Sequence, residues 1–256
     1  MAIDYYGLFP CKVREKVPDG KLLQMEKARN RATTVLNLMR KNPGTNQNKP
    51  ESEWTFKAMT LGPNGPQECE MRISDLLLES EPLQELSQHC ANCPYNLRSS
   101  DFGCGGAIHY PVSLQAEKWL VSRLPGDLNT RSGQLLTQAL KDFDFNGACI
   151  DAARERKDLY SSSTPATRKW GGFLSKKTLI TSSQILHMAF AVGSLQPAHA
   201  KLVAYFLGFL SDDFQPIDLP SNRSQSGDDG PVQDLKLFLS VAALAGSSNI
   251  PVLIDA

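Results

Sequence analysis

The run His89-Cys90-Ala91-Asn92-Cys93-Pro94, followed by Phe102-Gly103-Cys104-Gly105-Gly106, constrains this chain more than any other segment. So many glycines disfavour both helix and strand, so the segment must be a loop and the rest of the fold must be built around it. A Cys-x-x-Cys pair presents two thiolates to one ion, because the two intervening residues let the backbone fold into a tight knuckle. Gly103, Gly105 and Gly106 are expected to take positive φ and to bring the backbone close to a third thiolate, Cys104. Cys90, Cys93 and Cys104 are therefore the candidate metal ligands. His109, five residues beyond Cys104, is the nearest downstream choice for the fourth, with Cys69, His89 and Cys11 as alternatives.

Three thiolates and an imidazole suit zinc, with an iron–sulfur cluster as the second choice because the remaining cysteine spacings do not fit one. The competing readings are three reduced thiols in a Gly-rich turn and a redox Cys-x-x-Cys. The redox reading lacks the strand-to-helix setting that such chemistry needs. The expected zinc is structural rather than catalytic. There is no His-Glu-x-x-His, and no His-x-Glu paired with Pro-Cys-x-x-Cys.

The six cysteines also bear on compartment. A chain of 256 residues that is 41% hydrophobic has material for a core and does not depend on disulfides. Met1 to Tyr6 lacks the basic start and apolar run of an export signal, and no apolar stretch is long enough to span a bilayer. The chain is read as cytoplasmic, with no membrane partner, its cysteines reduced and free to bind metal.

Periodicity supplies the elements. Tyr5 to Phe9 reads as a strand ending at Pro10, and Leu22 to Met39 as a helix stopped by Asn42-Pro43-Gly44. Trp54 to Met59 and Cys69 to Ile73 alternate around Gly62-Pro63-Asn64-Gly65-Pro66, the pattern of a hairpin with a loop longer than two residues. A helix from Ser74, the Cys-rich loop, a strand Ala107 to Val112 and a helix capped by Ser113 follow. Beyond a connector at residues 124–133 the chain reads as mainly helical. Helices are expected at Leu135 to Leu140, Ile150 to Leu159, Thr181 to Val192, Pro197 to Leu210 and Val232 to Ala245. The apolar Pro251 to Ile254 is placed to add a strand.

The fold class is thus α+β: an N-terminal antiparallel sheet with helices and a Cys-rich metal loop, then a mainly helical C-terminal half. A ferredoxin-like split βαβ arrangement is one way to build it. The division expected is residues 1–125 and 126–256. Residues 211–231, rich in Ser, Asp, Gly and Pro, are read as a mobile loop that can be shortened at a cost of no more than about 1 kcal/mol.

The formal net charge is zero, which excludes a whole-molecule electrostatic drive towards nucleic acid or anionic membrane. Two local clusters remain. Ten cations between Lys12 and Lys49 face only Glu15, Asp19 and Glu26. Arg154, Arg156, Lys157, Arg168, Lys169, Lys176 and Lys177 surround Tyr160 and Trp170, where aromatic rings among cations could stack bases. Asp142-Phe143-Asp144-Phe145 is read as a turn with both rings in the core, and His187 and His199 as histidines of apolar helices. No nucleophile elbow and no phosphate-binding glycine loop is present, so no catalytic residue is assigned. The reading is a zinc-holding binding or adaptor protein with a protein partner. The alternative is an enzyme acting on a nucleotide or nucleic acid, its phosphates steered by the basic clusters.

Overall fold

The computed structural model describes residues 2–42, 44–46, 48–62, 65–98, 101–171, 177–190, 193–220 and 226–255. In chain order the elements begin with β1 (Ala2–Gly7), α1 (Lys12–Lys16), α2 (Asp19–Lys41), β2 (Thr55–Gly62), β3 (Gly65–Arg72), α3 (Ile73–Ser80), α4 (Leu83–Ser87) and β4 (Gly105–His109). They continue with α5 (Leu114–Ser122), α6 (Arg131–Asp142), α7 (Ala148–Ala153), β5 (Thr167–Trp170), β6 (Thr178–Thr181) and α8 (Ser182–Ala189). The last are β7 (Gly193–Leu195), α9 (Pro197–Phe206), α10 (Gly230–Ser247) and β8 (Val252–Asp255). The architecture is mixed α+β with an antiparallel sheet.

Two compact units are present: residues 1–10 with 92–256, and residues 11–91. The expected boundary near residue 125 does not coincide with either, and the reason is strand pairing. The sheet of the first unit has the order β4-β1-β8-β7, so strands from both ends of the sequence share it. Every pairing is antiparallel: Ile3 faces Ile108, Tyr5 faces Ile254, and Leu195 faces Val252. A ferredoxin-like sheet would need a parallel central pair, and among the described residues this sheet has none.

Helix α10 lies against this sheet. It is apolar on nearly all sides and is buried along most of its length, as expected of a helix at the centre of a core. The Phe238 ring meets the buried Tyr5 ring edge-on, with centroids 5.0 Å apart. Local sequence fixes the helix starts. Ser113 Oγ accepts from Ala116 N at 3.0 Å, Thr130 Oγ1 from Gly133 N at 3.2 Å and Asp229 Oδ1 from Val232 N at 2.9 Å. Thr181 and Gln184 form a reciprocal capping box. The helix expected to reach Leu159 stops at Ala153, because Arg154 turns into the interior.

In the second unit, α2 and α3 pack through Ala28, Ala32 and Leu76, with Phe56 and Met71 of the hairpin against them. Ile73 N donates to Trp54 O at 3.0 Å, tying the base of the hairpin to the start of α3. The β2–β3 pairing runs out to Gly62 opposite Gly65. That leaves a two-residue connection rather than the longer one expected, and Pro63 and Asn64 themselves lie outside the described residues. The hairpin forms its own two-stranded sheet and does not extend the one containing β1.

Candidate functional site

The Cys-rich segment leads into β4. Cys90 belongs to the second unit; its backbone N donates to Ser87 O at 2.8 Å, and the residue is buried. Cys93 and Cys104 belong to the first unit, Cys93 half-buried and Cys104 buried. Asn96 organises the stretch between them. Its backbone N donates to Cys93 O at 3.0 Å, while its side-chain Oδ1 accepts from Gly103 N at 2.9 Å. The carbonyl of Cys104 accepts from Gly7 N at 2.9 Å, which fastens the third cysteine to the end of β1. The Tyr95 ring stacks on Phe9 at 4.2 Å.

The backbone of this segment corrects one expectation. None of Gly103, Gly105 and Gly106 takes a positive φ; the left-handed residue is Phe102, at φ 60°. A buried phenylalanine in that region is strained, since its Cβ crowds the backbone. The glycines serve close approach instead. A Cβ on Gly103 would stand 2.2 Å from Asn96 Oδ1, and one on Gly106 would stand 2.4 Å from Arg98 Nη2 and 2.7 Å from Tyr5 Oη.

Gly106 thereby lets Arg98 lie over the strand beside the buried Tyr5 hydroxyl, which has no well-formed hydrogen bond. Burial pushes the Tyr5 hydroxyl far above its ordinary pKa, with the Arg98 charge opposing and the Asp234 carboxylate reinforcing the shift.

His109 sits at the far end of β4. Five residues of extended chain span about 16 Å, which is beyond the reach of a cysteine and a histidine on one ion at bonds of about 2.0–2.3 Å. The strand therefore carries His109 away from Cys104 rather than bringing the two together. His109 has another partner: Asp234 Oδ2 receives its backbone N–H at 3.0 Å and lies 2.8 Å from its Nδ1. Asp234 closes the outer edge of β4, where a strand would otherwise expose unpaired amides. The hydrogen bond to Asp234 raises the His109 pKa above its usual value, against the effect of burial. Of the other candidate ligands, His89 Nε2 lies 3.1 Å from Lys16 Nζ, Cys69 is on β3, and Cys11 immediately precedes α1 without a side-chain capping bond. Among the described residues, no group of three or more His, Cys, Asp or Glu side chains is arranged to hold a metal ion.

The second basic cluster is partly consumed inside the fold. Arg154 is buried and forks onto Glu117, Nη1 to Oε1 at 2.8 Å and Nη2 to Oε2 at 2.6 Å. Its Nη2 also donates to Ser183 Oγ at 2.9 Å, Ser182 Oγ donates to Glu117, and the Tyr160 ring lies 4.6 Å from the guanidinium. This network joins α5, the end of α7 and the start of α8. Arg168 donates to Ser122 O at 2.8 Å and Leu124 O at 2.5 Å, capping the open carbonyls of α5. Neither arginine is displayed for phosphate. Lys176 lies outside the described residues.

Asp142 is held by Gln138 Nε2 at 2.7 Å, and Asp144 is left-handed at φ 49°. Neither ring lies in the core as expected: Phe143 is 65% exposed, and Phe145 is half-buried, its ring 5.3 Å from His187 and 5.4 Å from His199.

Sequence reasoning missed the Glu117–Arg154 pair and a second one, Lys236 Nζ to Asp228 Oδ2 at 2.5 Å, with both side chains nearly inaccessible. A lysine in the apolar run Val232 to Ala245 was the available signal, since lysine is almost never fully buried unless paired. Among the described residues no helix is long and apolar enough to cross a membrane. Compared with known proteins, the chain matches no family model, no curated protein and no solved structure.

Proposed function

We propose that Cys90, Cys93 and Cys104 hold a structural zinc ion in a cytoplasmic protein that acts by binding a protein partner. The observation that carries this reading is the Cys-x-x-Cys spacing combined with the strained backbone at the third cysteine, where Phe102 is left-handed. Strained backbone persists where its surroundings over-determine it, and functional sites are where it collects. Ligand thiolates lose their protons and gain order only on the ion, so zinc would gather the three sulfurs and stabilise the fold at once. The fourth position falls to a group other than His109. No catalytic residue is assigned, and the phosphate-steering alternative has lost Arg154 and Arg168 to internal contacts.

Elemental analysis of the purified protein tests the proposal. About one zinc per chain is expected, with loss of the metal in Cys93→Ser. Chelation should lower the melting temperature and expose apolar surface together. Protein purified without added chelator that contains no zinc or iron would overturn the reading. A chelated protein that kept its melting temperature while losing an activity would move the site to catalysis.

A further inference from the structure

Tyr5 of β1 faces Gly106 of β4, and the polar groups gathered there are donors without an acceptor. Tyr5 is 0% exposed, its ring is set edge-on against Phe238, and its Oη has no well-formed hydrogen bond. Arg98 stands beside it. Its Nη2 and the Tyr5 Oη lie 2.4 and 2.7 Å from the single point that a Cβ on Gly106 would occupy. A guanidinium carries donors alone, so Arg98 can donate to the Tyr5 oxygen but cannot receive the Tyr5 hydroxyl proton. Asp234 is near enough for its charge to act on Tyr5, yet its Oδ2 is taken by the His109 backbone N–H and ring. Among the described residues Arg98 makes no ion pair.

Gly106 keeps the space around these donors clear. Its φ is not positive, so no turn demands a glycine here. A glycine inside a strand then marks a place that something else must approach closely. Arg98 is exposed and Gly106 half-buried. The long arginine side chain can therefore lift to admit a ligand and close over it. A buried donor that lacks an acceptor in a native fold calls for one from outside the chain.

We propose that Arg98 and Tyr5 bind a carboxylate, the guanidinium forking onto its two oxygens and the hydroxyl donating to one of them. A carboxylate is acceptor-only and matches the guanidinium fork. It also carries a single charge, whereas a phosphate dianion would set a second one beside Asp234. The carboxylate can belong to a small acid or to the C-terminal end of a peptide.

Nuclear magnetic resonance of the full chain tests this, with the Arg98 Nε–H as reporter and chloride balancing the ionic strength. The probes are acetate, an N-acetylated alanine tripeptide with a free C-terminus, the same tripeptide amidated, and inorganic phosphate. Acetate and the free-ended tripeptide are expected to shift the resonance saturably, and the amidated one to leave it in place. A free-ended tripeptide that binds more tightly than acetate identifies a chain end as the source; affinity no better than that of acetate identifies a small acid. Tyr5→Phe keeps the ring against Phe238 and removes only the hydroxyl. It should fold as the wild type does and bind acetate at least about tenfold more weakly. Read at the Gly106 amide, Arg98→Gln should lose the binding altogether. The absence of a saturable shift with both acetate and the free-ended tripeptide, as for a space that takes water alone, overturns the proposal. So does wild-type affinity in Tyr5→Phe or Arg98→Gln, or phosphate that binds more tightly than acetate.

Discussion

At the scale of single residues, the Glu117–Arg154 pair carries the largest expected effect. Both side chains are essentially sealed from water, at 0% and 2% accessibility, and the guanidinium uses its fork on Glu117 and its remaining protons on Ser183 and Ser162 O. Removing Glu117 leaves the buried guanidinium only the half-exposed Asp151 carboxylate, 3.3 Å from its Nε, and breaking such a pair costs about 3–5 kcal/mol. Glu117→Gln is therefore expected to shift the denaturation midpoint by that amount. Replacing both partners with apolar residues of similar volume should recover most of it, and the double-mutant cycle measures the coupling.

Two histidines set the pH dependence with opposite signs. Burial lowers the His199 pKa below 6.5, with a backbone hydrogen bond at Met188 opposing. Its contribution to stability is complete above that value and is lost as pH falls below it, because the unfolded chain takes the proton first. The His109 pKa is raised, so its contribution is present below 6.5 and is lost as pH rises through the folded value. Melting curves of His199→Gln are expected to lose the acid-side decline, and those of His109→Gln the alkaline-side decline. Parallel pH profiles for wild type and both variants would contradict this assignment. None of these pairings was legible in the chain. Arg154 read as a member of a basic run, because spacing reveals a helix face but not which charge folds inward.

At the scale of elements, residues 211–231 show where composition misleads. A segment poor in large apolar residues reads as mobile, yet its described parts are fastened. Asp212 Oδ1 accepts from Tyr205 Oη at 2.6 Å, Leu210 bridges to Pro216, and Gly227 O accepts from Gln115 Nε2 at 2.7 Å. The polar residues that suggested freedom are the ones that tie the segment down. Asp228 neutralises a lysine inside the core, and Asp229 caps α10. Deleting residues 226–229 is therefore expected to cost well over the about 1 kcal/mol that loop closure alone would give. Asp228→Ala by itself should cost about 3 kcal/mol, because it removes the carboxylate that neutralises the buried Lys236 ammonium. Lys236→Met removes the ammonium from the equally buried Asp228 carboxylate and should cost a similar amount, and urea denaturation of the two variants checks both. The amphipathic elements, by contrast, were legible, since α2, α5, α10 and the β2–β3 hairpin follow from periodicity and caps that act within a few residues.

At the scale of the whole molecule, what periodicity could not supply was the partition of the chain. The connector near residue 125 is a change of local pattern, whereas the sheet is assembled by pairing Asp4 with Asp255 and Tyr6 with Leu253, across nearly the full sequence. Such pairing leaves no trace in a window of a dozen residues, and an apolar C-terminal stretch says only that it is a strand, not where it inserts. Here β8 enters between β1 and β7, and α10 lies against the sheet, so one of the two central strands and the apolar cover come from the last thirty residues. A fragment of residues 1–125 would keep only the β1–β4 pair of that sheet, and a two-stranded ribbon is marginal in water. Tyr5, Ile3 and Ile108, all at most 3% exposed in the intact chain, would also face solvent without Phe238 and its neighbours. The fragment is therefore expected to lack cooperative unfolding of β1 and β4. Adding residues 126–256 as a separate chain should restore amide protection along those strands in hydrogen-exchange measurements. Protection of Ile3, Tyr5 and Ile108 amides in the 1–125 fragment alone, equal to that in the intact chain, would show that the sheet does not depend on β8.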